Sequence, residues 1–289
     1  MKAQEKMLRG HGHRVRSYTR SSVELESMRF GKVRAFFAGL RNPVSAREIH
    51  KVLEEFRPDV VHIHNLYPLI SPSVLPHIRK RGVPVVMTVH NYRLICPNGL
   101  FYNKSGICEA CAGGKEWNCI RFNCEESLPK SIGYALRNAW ARIGRHYLDN
   151  VDAFLCLTAF QKRKLVDNGF KPERCFVLPN FYNGKPHAAE KEATTGSYVA
   201  FAGRISREKG IDILYDAARR LPEIRFKIAG KVADQVYYDQ KPDNVSLEGL
   251  LEGERLQEFY AGATVFLLSS VCYEGFPMVF LEAMSFGLP

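Results

Sequence analysis

Short apolar runs rich in Val, Ile and Phe alternate along the chain with longer stretches whose apolar residues recur at helical spacing, the pattern of strand-helix-strand units feeding a parallel sheet. The first half predicts strands over 59–63, 83–89, 152–157 and 176–178 and helices over 45–56, 71–81, 127–147 and 159–168. Periodicity lapses over 181–197, a stretch of Gly, Pro, Thr and charged residues that reads as an exposed linker. A second series follows: strand 198–202, helix 208–221, strands 225–229 and 245–247, helix 252–261, strand 264–268 and helix 277–286.

The expected fold class is therefore α/β: two Rossmann-like, doubly wound domains facing across a cleft. The N-terminal domain takes 1–180 with a Cys-rich insertion at 91–126, the linker 181–196, and the C-terminal domain 197–289. The element at 7–15 reads as a helix end running through Gly10-His11-Gly12-His13 into a strand, with no strand and no glycine-rich turn before it. The chain closes on Gly287-Leu288-Pro289, where another strand would begin. Hence the N-terminal domain is expected to lack its first strand and the C-terminal domain to be incomplete.

Composition adds little to the fold and something to the partners. With 46% hydrophobic and 25% charged residues the chain can bury two cores. No apolar run is long enough to cross a bilayer and no signal peptide opens the chain, so the expected address is cytoplasmic. The net charge of +11 is uneven, with 31 Lys and Arg against 17 Asp and Glu over 1–196 and 10 against 13 beyond. Such a basic first part suits an anionic partner, and peripheral attachment at the inner face of the cell membrane is expected. A nucleic-acid-binding module is disfavoured, because no aromatic binding motif accompanies the basic part and the remainder is acidic.

Two strand ends carry the strongest chemistry. Glu274-Gly-Phe-Pro-Met-Val-Phe-Leu-Glu282 follows the strand at 264–268 and opens a helix. Gly275 permits a tight turn and Phe276, Pro277 and Met278 lead into a helix start whose N–H groups could hold a phosphate. Glu274 would then accept sugar hydroxyls and Glu282 ribose hydroxyls; the ordinary alternative is a loop and a helix with solvated carboxylates. The second element, Ala202-Gly203-Arg204-Ile-Ser-Arg-Glu-Lys209-Gly210, also lies between strand and helix. It is no Walker A loop, since Gly-Lys-Ser/Thr is absent, but Arg204 and Lys209 would place two positive charges against a pyrophosphate.

Together these residues resemble the large retaining, nucleotide-sugar-dependent glycosyltransferases of the group 1 and family 4 type, which have the GT-B fold and include bacterial enzymes of polysaccharide and glycolipid synthesis. The resemblance extends to Gly12-His13-Arg14-Val15, to 59–65 with His62, His64 and Asn65, to Thr88-Val89-His90-Asn91, to Thr158 and to Leu178-Pro179-Asn180. It implies a hexosyltransferase whose C-terminal domain holds a nucleotide-sugar donor and whose N-terminal domain holds a glycan or lipid-linked acceptor. Gly203, Arg204, Lys209, Gly275, Phe276, Pro277, Met278 and Glu282 would bind the donor. His90 and Glu274 would stand at the reacting groups. No cofactor is needed, the leaving phosphate oxygen taking the acceptor proton, and no protein nucleophile is assigned. His62 and His64 share a strand face and could simply pack there. The missing ends leave a second reading open, an inactive fragment that at most binds nucleotide.

Five cysteines crowd into the insertion. Cys108-Glu-Ala-Cys111 forms a CxxC pair, and Cys96 with Cys124 (or Cys119) would complete four thiolates for a structural zinc; free thiols and a redox disulfide are the competing readings. Cys156, Cys175 and Cys272 read as buried and inert.

Overall fold

In a computed structural model, which describes residues 2–21, 24, 31–182, 184 and 197–289, the chain divides into two compact units. One comprises 1–104 and 108–179, the other 105–107 and 180–289. Most of the expected linker at 181–196 lies outside the described residues.

The first unit opens with α1 (Lys2–Gly10), α2 (Gly31–Leu40) and α3 (Pro43–Phe56). Asn42 caps α3, its Oδ1 accepting from the backbone N–H groups of Val44 and Ser45, with Pro43 occupying the first position, where no N–H is needed. β1 (Val61–Ile63) and β2 (Val85–Val89) follow, separated by α4 (Leu75–Arg79). The insertion carries the short strands β3 (Tyr102–Asn103) and β4 (Gly106–Ile107) and helix α5 (Trp117–Arg121). Next come α6 (Leu128–Ile143), α7 (His146–Asn150), β5 (Ala153–Cys156), α8 (Ala159–Val166) and β6 (Cys175–Val177). The sheet is parallel in the order β1-β2-β5-β6, and its central strands are buried, as Val/Ile/Phe-rich runs require.

Two expectations are corrected here. Residues 11–21 run without regular structure after α1, so no strand includes Val15. The helix expected over 127–147 breaks after Ile143, where Arg145 takes a left-handed conformation (φ 48°) between α6 and α7.

The second unit adds β7 (Val199–Ala202), α9 (Ile211–Arg220), β8 (Phe226–Ala229), α10 (Val236–Asp239), β9 (Val245–Gly249), α11 (Glu254–Ala261), β10 (Val265–Phe266) and α12 (Met278–Ser285). The first helix starts later than expected because Gly210 adopts φ 69° and separates α9 from a 3-10 turn at Arg207–Lys209. This sheet is parallel too, ordered β10-β7-β8-β9. The order reverses about β7, so a switch point lies between the carboxyl ends of β7 and β10, where an open α/β sheet leaves room for a ligand. One core packs Phe201, Ile205, Ile211, Leu214 and Ile228 against the sheet; another packs Tyr198, Phe259, Tyr260, Ala283 and Phe286.

Candidate functional site

The switch point of the second unit gathers the residues expected to meet a nucleotide-sugar. Gly203 directly follows β7, and the backbone there is closely packed: a Cβ on Gly230, which directly follows β8, would lie 1.7 Å from the Gly203 carbonyl oxygen. A Cβ on Gly210 would lie 1.9 Å from the Ser269 carbonyl oxygen. That approach, with Ser269 Oγ donating to the Lys209 carbonyl (2.9 Å) and Val271 N–H donating to the Glu208 carbonyl (3.0 Å), binds the loop after β7 to the loop after β10. Lys209 and Glu274, 65 residues apart in sequence, meet as a result: Nζ donates to Oε1 at 2.5 Å, and Ser270 Oγ donates to the same oxygen at 2.6 Å.

The expected phosphate-clamping cations therefore each have a carboxylate at hand. Arg204 pairs with Glu208 at 2.7 Å, and its side chain is 56% exposed. Glu208 is only 13% exposed, so the guanidinium faces solvent from a largely shielded carboxylate and is the member of the pair that an anion can reach. Gly275, Phe276, Pro277 and Met278 lead from Glu274 into α12, and the Phe276 carbonyl accepts from Asn180 Nδ2 at 2.7 Å. No side chain caps α12. Its first turn thus presents backbone N–H groups and the positive end of the helix dipole beside Glu274. Glu282, one turn further on, accepts from the buried Tyr260 hydroxyl at 3.1 Å, which fixes the carboxylate. Burial and that carboxylate raise the Tyr260 pKa well above the phenol range, so the hydroxyl remains a donor. Ser269, Ser270, Glu208 and Tyr260 were not legible as site residues; the Ser-Ser pair at a strand end was the one available signal.

In the first unit the histidines stand at the carboxyl ends of neighbouring parallel strands. His62 pairs with Val86 in register, so His64 and His90 follow at the ends of β1 and β2. His62 Nε2 lies 2.8 Å from Thr88 Oγ1, and His64 Nδ1 lies 2.8 Å from His90 Nε2. The three rings stack in series, with centroids 4.5 and 5.1 Å apart. Burial pushes all three pKa values down; His64 is depressed to about 3, the neighbouring His62 and His90 adding to the effect. They are neutral at physiological pH. Thr158 caps α8 by accepting from Gln161 N–H at 3.1 Å, a structural role.

No disulfide joins the cysteines of the insertion. Cys111 and Cys119 pack in one small core with Cys124 beside them. A sulfur hydrogen bond from Cys119 draws the Cys124 thiol below its ordinary range and pushes Cys119 up, while burial lifts Cys111 to about 12. Among the described residues no three His, Cys, Asp or Glu side chains are disposed to hold a metal ion, a group of Cys96, Cys108, Cys111 and Cys124 included. Cys272, expected to be buried, is only partly so, and that burial pushes its thiol up to about 11.

Two parallel α/β units of this design define the two-Rossmann, GT-B class. The fold is similar to that of Anabaena Alr3699/HepE in complex with UDP-glucose (TM-score 0.56, 16% identity, covering 99% of this chain and 69% of that one). It is similar also to TarM (TM-score 0.53, 16% identity, 83% of this chain and 42% of that one). The Glycosyltransferase Family 4 pattern matches residues 5–183 and the Glycosyl transferases group 1 pattern 158–289; the chain belongs to this glycosyltransferase family. Among its relatives, the sulfoquinovosyl transferase SQD2 of Arabidopsis thaliana is 34% identical over 265 residues, 86% of this chain and 45% of the relative. The alpha-galactosylglucosyldiacylglycerol synthase of Streptococcus pneumoniae (strain ATCC BAA-255 / R6) is 32% identical over 147 residues, 43% of this chain and 39% of the relative. The chain spans less than half the length of either.

Proposed function

We propose that this chain carries the donor site of a hexosyltransferase that moves a sugar from a nucleotide-sugar to a glycan or lipid-linked acceptor with retention of anomeric configuration. The observation that carries the reading is the Lys209–Glu274 pair, braced by Ser270 beside the uncapped start of α12, with Glu282 anchored on that helix. Arg204, Lys209 and the N–H groups at the start of α12 take the two phosphates, where negative charge grows as the sugar departs. Glu274 takes hydroxyls of the transferred sugar, and Glu282 the ribose hydroxyls. Gly203 and Gly275 keep the backbone close to the ligand, and Phe276, Pro277 and Met278 shape the turn. His90, neutral, offers a ring nitrogen to the sugar or leaving phosphate. No carboxylate is assigned as nucleophile, so the acceptor oxygen attacks on the face the phosphate leaves, and a phosphate oxygen takes its proton. The UDP-glucose named for the Anabaena structure supports a nucleotide-sugar donor, and the diacylglycerol product named for the Streptococcus relative supports a lipid-linked acceptor.

An anionic membrane surface is the proposed location of that acceptor. Along α6, Leu128, Ile132 and Leu136 are 52%, 37% and 49% exposed and recur every four residues, an apolar stripe on the basic first unit. Flotation with anionic vesicles should show binding that salt weakens; its absence removes the membrane from the proposal.

The donor site is tested by thermal shift and calorimetry with UDP, GDP, ADP and their sugars, because a ligand of the folded state raises its stability. One nucleotide should raise the melting temperature, and Glu282→Ala should abolish the shift. No shift with any of them in folded protein overturns the reading.

A further inference from the structure

We propose that His64 is a positioning residue: its hydrogen bond to Nε2 of His90 holds the ring orientation of His90, ties its tautomer to that of His64 and leaves Nδ1 as the nitrogen that a ligand meets. The inference rests on the reading of His90 as a residue that touches substrate, and it assigns a task to a neighbour that reading leaves idle.

The arrangement follows from strand register. His62 sits opposite Val86, and each ring reaches the residue two places further along β2: His62 to Thr88, and His64 to His90, both at 2.8 Å. Thr88 is buried, so the first bond is held inside the sheet. Gln4 Nε2, 3.4 Å from His62 Nδ1, stands at the other side of that ring and is placed to donate to it. His62 then carries its proton on Nε2 and donates to Thr88. The stack continues through His64 to His90 with interplanar angles of 27° and 23°, so no ring can turn without disturbing the next.

Two neutral imidazoles joined N–H···N share a single proton in that bond. Whichever nitrogen owns it, Nε2 of His90 is engaged and the ring cannot flip to offer it elsewhere. A small cavity of about 20 Å³, lined by His64, Tyr67, His90, Asn91 and Arg93 among others, adjoins the pair, so a polar neighbour of one-water size can reach these rings. An unsupported histidine would interconvert between tautomers and present the wrong one part of the time, which is the loss a positioning partner prevents.

The test uses the chain with ¹⁵N-labelled histidine at pH 7.5. Long-range ¹H–¹⁵N spectra report the protonation of each ring nitrogen directly, whether or not the protein turns over. His90 should show one dominant neutral tautomer in the wild type. His64→Phe keeps the ring stack but removes both nitrogens, and the His90 signals should move to intermediate shifts of exchanging tautomers. His64→Asn, whose amide can replace Nδ1, should restore a single tautomer; His64→Ala repeats the test if the Phe variant does not fold. In a preparation with transferase activity, kcat of the Phe variant should fall by roughly tenfold to a hundredfold with donor KM unchanged, and Asn should recover most of it. A single unchanged His90 tautomer in both the Phe and Ala variants overturns the positioning role. Full activity of His90→Ala would overturn the reading of His90 itself, a separate failure.

Discussion

Nζ of Lys209 and Oε1 of Glu274 lie 2.5 Å apart, joining the loop after β7 to the loop after β10 at the point where strand order reverses. The pair makes the two proposed roles interdependent, since the lysine that meets phosphate also holds the carboxylate that meets sugar. Glu274→Ala should lower kcat/KM by roughly a hundredfold or more, and Lys209→Ala should weaken nucleotide affinity and rate together. In the double variant the losses should fall short of additive, because each single change already releases the partner. Steady-state kinetics with calorimetric nucleotide binding check this; unchanged turnover in both single variants removes the assignment.

Glu282 is held by Tyr260, and removing the hydroxyl should be felt in binding before it is felt in the fold. Tyr260→Phe keeps the buried ring, so its melting temperature should drop little, while nucleotide Kd should rise several-fold for loss of about 1 kcal/mol of hydrogen bonding. Glu282→Ala should cost more, at least tenfold in Kd. Calorimetry on both variants separates an anchored ribose carboxylate from one that is merely near.

Backbone packing at the switch point gives a stability prediction with an internal control. Gly210→Ala must both adopt φ 69° and place its Cβ 1.9 Å from the Ser269 carbonyl oxygen, so the loops must part. Gly249→Ala meets a similar φ of 71° with nothing within 4 Å. The second should cost about 1–2 kcal/mol and the first clearly more, with loss of nucleotide binding as well. Urea denaturation of both variants decides; equal costs would mean that the contact with Ser269 is relaxed without effort.

The strands, their parallel sense and the clustering of Gly203, Lys209, Glu274 and Glu282 at one sheet end were legible because buried parallel strands are almost uniformly apolar and the polar residues follow them directly. What could not be read was side-chain pairing. Nothing local in Arg204 or Lys209 says that each has a carboxylate within reach, because the partner of Lys209 comes from 65 residues away. The break after Ile143 had one local signal, Gly144, a poor residue for a helix interior, and Arg145 beside it takes the left-handed conformation. His62 and His64 were correctly placed on one strand face, but their joint stack with His90 depends on β1–β2 register, which alternation alone leaves open.

The insertion gives a reactivity prediction. Cys124 is the thiol drawn down by its hydrogen bond from Cys119, whereas burial keeps Cys96 and Cys111 protonated and Cys119 is raised by the same bond. Under limiting iodoacetamide at pH 7.5, Cys124 should be alkylated ahead of Cys96, Cys111 and Cys119, as peptide mass spectrometry would show. In Cys119→Ala the advantage of Cys124 should shrink. Preferential labelling of Cys111 would refute the pairing.

The neutral histidine stack should make the fold sensitive to mild acid. For a base whose folded pKa is depressed, both states are uncharged above the unfolded value of about 6.5, so stability is level there. Below it the unfolded chain takes up protons that the folded stack refuses, and stability falls continuously toward the folded pKa, about 3 for His64. The slope cannot exceed about 1.4 kcal/mol per pH unit per ring, and partial exposure of the rings reduces it. Between pH 7.5 and 5.5, a window above most carboxylate titrations, the first unit should lose roughly 1 kcal/mol. The His64→Phe variant, which removes the most depressed of the three groups, should lose less over the same interval. Urea titrations at the two pH values measure the difference directly; equal acid sensitivity in wild type and variant would show that protons are taken up elsewhere in the unfolding reaction.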